Sequence, residues 1–113
     1  MKENIIETMC FDFSISIIEF AELLQQNKKW IVAKQILRSG TSIGANVAEA
    51  QFAESKKDFI HKLRIAAKEA NETSYWLKIC EKVETYPNVG NLREEVLSIK
   101  KMLSKIISTS ISH

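Results

Sequence analysis

Apolar residues recur along this chain at alternating intervals of three and four, the spacing that puts them on one stripe of a helix. The pattern appears four times. It runs through Ile6, Cys10, Phe13, Ile17, Phe20 and Leu24, then Ala33, Ile36, Gly40, Ile43, Val47 and Ala50. It resumes through Phe59, Leu63, Ala66, Ala70, Thr73, Leu77 and Cys80, and closes with Leu92, Val96, Ile99, Leu103 and Ile106. These stripes predict helices over about 3–26, 28–52, 55–85 and 89–111. No segment sustains a period of two, so no sheet is expected. The expected fold is all-α: an antiparallel, up-and-down four-helix bundle in a single domain, residues 1–113.

Local signals agree with the division. Asn27 is a candidate cap between the first two helices. Ser55 with Asp58 resembles a capping box with Asp in place of Glu, and Asn91 with Glu94 is a second cap-like pair. Tyr86-Pro87 ends the third helix, because proline restricts the residue before it and donates nothing to the helical ladder. One proline and three glycines in 113 residues leave few turns, which favours long elements.

The first helix carries more apolar residues than one buried stripe requires. Ile5, Met9, Phe11, Ile15, Ile18 and Leu23 lie outside its core positions. A wide core would absorb them; a subunit interface is the favoured reading, since contiguous exposed apolar surface of this size is rare on monomers. Glu3, Glu7 and Asp12 interrupt the apolar N-terminus, which argues against a signal peptide or a membrane span and places the expected protein in the cytoplasm. Cys10 and Cys80, far apart and with no metal-ligand spacing, read as small buried hydrophobes in a reducing compartment.

One motif points elsewhere. Gly40-Thr41-Ser42-Ile43-Gly44 fits the G-x-S-x-G pattern of a hydrolase nucleophile elbow. An elbow needs a strand before the serine, and the residues before Ser42 have helical spacing. His61 and His113 are the only histidines; one falls off the core stripe and the other is the last residue. GTSIG reads instead as a packing surface. Gly40 and Gly44 share one helix face, and Ala66, Ala67 and Ala70 offer small residues on the third helix for close approach. A second constellation, Asn46, Glu49, Glu69 and Glu72 with Asp58 and His61, raises a carboxylate-bridged metal site. Such sites in bundles use Glu-x-x-His pairs, which are missing here, so the preferred reading is that Glu49, Glu69 and Glu72 pair with Arg38, Lys68 or Asn46 or simply face water. No catalytic residue, metal or cofactor is expected.

Net charge is +2, but residues 1–26 carry −4 and residues 27–68 carry +6. A basic middle beside Trp30 and Phe52 has the composition to contact phosphates, although no helix-turn-helix, zinc finger or RNA-recognition motif accompanies it.

The elements RSGTSIGANVAEA (38–50), S-x-x-D-F (55–59) and KEANETSYWL (68–77) closely resemble the bacterial four helix bundle protein family, which includes proteins encoded by intervening sequences in 23S ribosomal RNA genes. The resemblance spans about residues 5–110. It implies the same bundle, assembly as a homopentameric ring and no enzymatic activity. A related branch, the accessory variability determinant of diversity-generating retroelements, forms a basic pentameric barrel that binds nucleic acid and a reverse transcriptase. On that resemblance Lys34, Arg38, Lys56, Lys57, Lys62 and Arg64 are the candidate nucleic-acid contacts, with Arg38 alternatively pairing Glu49 or Glu72. Gly40, Gly44, Asn46, Glu49, Glu69 and Glu72 are structural members of the motif. The expected protein is a ring that binds RNA or DNA. The alternative is a scaffold that docks a protein partner, with an apolar groove at Tyr75, Trp76 or Phe52.

Overall fold

The computed structural model describes residues 4–113, which form four helices and no strand. These are α1 (Ile5–Gln26), α2 (Trp30–Ala50), α3 (Lys56–Lys82) and α4 (Leu92–Ser112). Each helix packs on its sequence neighbours, and α4 returns to α1 to close the bundle. Neighbours run antiparallel. Gly40 meets Ile17, Gly44 meets Cys10 and Gln51 meets Asn4, so the numbering descends α1 as it ascends α2. The same holds for α2 against α3, where Arg38 meets Glu69 and Glu49 meets Lys62.

The periodic stripes are the core. Every residue of the first two is buried, as are Leu63, Ala66, Ala70, Thr73, Leu77 and Cys80 of the third and Leu92, Val96, Ile99 and Leu103 of the fourth. Phe59 and Ile106, near the bundle end, are only partly covered. Ser39 and Thr73 are the buried polar side chains, and their hydroxyls share a hydrogen bond of 2.9 Å. No buried side-chain nitrogen or oxygen among the described residues lacks a partner.

Helix ends depart from expectation by a few residues, each for a local reason. Asn4 caps α1 by accepting from the Glu7 N–H; the expected start at residue 3 lies outside the described residues. Lys28 has φ +62, a left-handed conformation that a helix does not continue through, so α2 begins at Trp30 rather than at 28. Asn27 closes α1 instead of opening α2, its amide donating to the Leu23 carbonyl at 2.9 Å. Ser55 accepts from the Asp58 N–H, but Asp58 reaches back to the Glu54 N–H, one residue beyond the Ser55 N–H of a reciprocal box. Helix α3 stops at Lys82, a turn ahead of Tyr86-Pro87, as Val83 goes extended and the chain folds Val89 over the core. Gly90 at φ +59 turns the chain into α4, which opens at Leu92; Asn91 stands at its cap position without a side-chain bond.

The glycines pack, but not against α3. A Cβ on Gly40 would lie 2.8 Å from Ile17 Cγ2, and one on Gly44 would lie 3.3 Å from the Cys10 carbonyl oxygen. Both therefore face α1. Their positions turn them to the α1 flank of α2, while Ser39 takes the α3 flank and bonds Thr73.

Candidate nucleic-acid interface

Helix α3 distributes its charges by direction. Its four acids all have protein partners. Asp58 accepts from the Glu54 N–H, Glu69 and Glu72 pair with Arg38, and Glu81 pairs with Arg93 of α4 at 2.6 Å. The outward face is different. Lys57, His61, Arg64, Lys68, Asn71, Tyr75, Lys78 and Lys82 follow one another at intervals of three and four, and all eight are exposed. At a rise of 1.5 Å per residue this stripe extends for about 37 Å. It holds five permanent cations, one aromatic ring and no carboxylate. None of the five makes an ion pair with a described residue.

This geometry sorts the sequence candidates. Lys56, Lys57 and Arg64 lie together in the first turns of α3. Lys62 points the other way and bonds Glu49 of α2 at 3.1 Å. Lys34 lies farther along the bundle, level with Tyr75 and Trp76 and about 27 Å from Lys57 along the helix axes. Arg38 is held by carboxylates: Nη1 lies 3.3 Å from Glu69, and Nη2 pairs with Glu72, which also accepts from Trp76 Nε1 at 3.0 Å. Its charge is thus largely neutralised within the α2–α3 seam. Asn46 donates to the Ser42 carbonyl at 2.8 Å rather than to a glutamate. The six candidates do not converge on one surface; three of them do.

Lys68, Lys78 and Lys82 belong to the stripe and were not among the candidates. Their signal was present in the spacing. Reading outward from Lys57 at four, seven and eleven residues gives His61, Arg64 and Lys68, a basic counterpart to the apolar stripe.

The other constellations resolve into structure. Ser42 lies within continuous helix, and its Oγ donates to the Arg38 carbonyl at 2.6 Å; Thr41 does the same to Leu37. No group of three or more His, Cys, Asp or Glu side chains among the described residues is placed to hold a metal ion. Burial pushes the Cys10 thiol up to about 12 and the Cys80 thiol up to about 11. The aromatic residues do not form one groove. Tyr75 and Trp76 meet edge to face at 5.5 Å in the middle of the bundle, whereas Phe52 projects from the α2–α3 turn at its end. No described helix is long and apolar enough to cross a membrane.

On the opposite side of the molecule, α1 exposes Phe11, Ile15 and Ile18, spaced four and three apart and directed away from the core. Phe11 borders a shallow hollow with Ser14, Gly44, Ala45 and Ala48. The molecule thus has a basic side on α3 and an apolar side on α1.

Residues 2–105 match the profile of a family described as 23S rRNA-intervening sequence protein. The chain belongs to that family. Among solved structures it is similar to a protein of unknown function from the S23 ribosomal protein family of Bacteroides thetaiotaomicron VPI-5482. The two are 40% identical with a TM-score of 0.87, over 91% of this chain and 98% of the other. No curated protein matches the chain. The 23S rRNA-intervening sequence family and the bundle therefore agree with the resemblance drawn from RSGTSIGANVAEA and KEANETSYWL.

Proposed function

We propose that this 23S rRNA-intervening sequence protein is a non-enzymatic, ring-forming bundle that binds RNA or DNA through phosphate contacts along α3. The observation that carries the reading is the acid-free outward stripe from Lys57 to Lys82, whose cations make no ion pair with a described residue. A helix that engages all four of its carboxylates in internal pairs and leaves a row of cations in water presents a continuous positive potential. Each phosphate that such a row engages releases condensed counterions. The apolar ridge of α1 supports self-association, with a homopentamer as the expected ring. Repetition of the stripe around a ring multiplies the field that a strand meets. Arg38, already neutralised by two carboxylates, acts in this reading as a clamp between α2 and α3.

Binding of a labelled structured RNA and a matched DNA duplex, titrated across salt concentration, tests the proposal. Affinity should fall steeply and linearly in log–log form with salt. Combined Lys57→Glu, Arg64→Glu and Lys68→Glu substitutions should weaken it by more than tenfold, whereas Arg38→Ala should lower stability without flattening the salt slope. Absence of binding at low salt would leave α3 as an ordinary solvated face and sink the reading.

A further inference from the structure

At the end of the bundle where α3 begins and α4 finishes lies an open bay of about 620 Å³. It is lined by Lys56, Lys57, Ile60, His61 and Arg64 of α3 and by Ile111 of α4. Among the described residues no carboxylate lines the bay. The nearest acid along α3, Asp58, accepts from the Glu54 backbone. Ile111 is more than half exposed, as is Phe52 on the adjoining α2–α3 turn, so apolar surface and cations occur side by side at this end. The bay continues directly from the basic stripe, since Lys57, His61 and Arg64 belong to both.

A phosphate row alone needs no such bay. A duplex hides the faces of its bases in the stack and offers the protein charged backbone and base edges, which the stripe can meet without apolar walls. An unpaired nucleotide is different: it carries an anionic phosphate joined to a planar ring whose faces are apolar and whose edges remain hydrated. We propose that the α3–α4 bay takes one unpaired nucleotide of a nucleic-acid strand. The phosphate sits among Lys56, Lys57 and Arg64, and the base lies against Ile60, Ile111 and the His61 ring. This inference rests on the phosphate-binding reading of α3 and adds to it a preference for single strands. Because the bay lies at the end of the stripe, the strand beyond the bound nucleotide would continue toward Lys68.

The test compares, at one salt concentration, a short labelled single strand, the same strand in duplex form and a wholly abasic strand of equal length. Fluorescence anisotropy reads all three with the full chain. The single strand should bind about tenfold more tightly than the abasic strand, the contribution of one base on an apolar or aromatic surface. Ile111→Ser, at an exposed position that leaves the core intact, should abolish that ratio, while Lys57→Glu should weaken both strands alike. Equal binding of the ordinary and abasic strands, or a ratio unchanged by Ile111→Ser, would overturn the bay and leave the stripe standing. A mononucleotide binding as tightly as the strand would overturn it in favour of a small-molecule site. No binding by any of the three would remove the phosphate reading as well.

Discussion

Gly40 and Gly44 have the same spacing role in the sequence but unequal positions in the packing. A methyl group on Gly40 would press on the Ile17 side chain at 2.8 and 2.9 Å, and Ile17 is fully buried with no open space to enter. A methyl on Gly44 would meet its neighbours at 3.3 Å or more, one of them the rotatable Ser14 hydroxyl. Either substitution gains about 1 kcal/mol of helix propensity, while overpacking costs roughly 1–3 kcal/mol. Gly40→Ala should therefore be less stable than Gly44→Ala by about 1–2 kcal/mol, with Gly44→Ala close to the parent. Urea unfolding of the three proteins measures the order, and equal stabilities would refute the account. The two thiols make a second residue-scale prediction. Their folded pKa values, raised from 9.0 to about 12 and about 11, mean that the unfolded state releases protons first as pH rises. The stability they contribute is complete below pH 9 and is lost as pH climbs toward those folded values. Between pH 8 and pH 10 each thiol should cost the fold about 1 kcal/mol. A Cys10→Ala/Cys80→Ala variant should lose less stability over that interval than the parent, and parallel curves would contradict the assignment.

At the scale of the helix, α1 and α3 illustrate what periodicity does and does not disclose. The core stripes were legible almost residue for residue, because a buried helix face requires apolar side chains at fixed intervals. The helix starts were less so: the left-handed turn at Lys28 and the extended Val83 depend on how the chain passes over the bundle ends, which no local propensity encodes. That the glycines face α1 rather than α3 depends on the rotation of α2 about its axis, a tertiary quantity. The pairing of Arg38 with Glu72 is legible as an alternative in the sequence, whereas that of Lys62 with Glu49 depends on the register between α2 and α3. The outer ridge of α1 carries its own prediction. Phe11→Asp with Ile15→Asp places two charges on surface that is already exposed in the single chain, so the helical content should be unchanged. Light scattering should register the variant at the 12.9 kDa of one chain and the parent at a multiple of it. A parent that scatters as a monomer would dismiss the ring.

The whole molecule is a rod of 47 × 23 × 20 Å in which every helix packs against the helix that follows it in sequence. Only the α1–α4 seam joins distant parts of the chain, and it is the slightest of the four interfaces. The same elongation gives the basic stripe its length, and the α1 ridge lies on a different side of the bundle, so the proposed assembly and the proposed phosphate contacts use separate surfaces. The short connections have a kinetic consequence. The α1–α2 turn is closed by backbone bonds from Asn27, Lys28 and Lys29 to the last carbonyls of α1, and the α2–α3 turn by bonds from Gln51, Phe52 and Ala53 to the end of α2. Little loop entropy has to be lost before each hairpin makes its contacts. Chains built from such local pairings cross their folding barrier quickly, on the order of microseconds to milliseconds. Stopped-flow refolding should accordingly show a fast phase independent of protein concentration, in which single chains form. Any slower phase that accelerates with concentration would then time the meeting of finished subunits, separating the birth of the fold from the closing of the proposed ring.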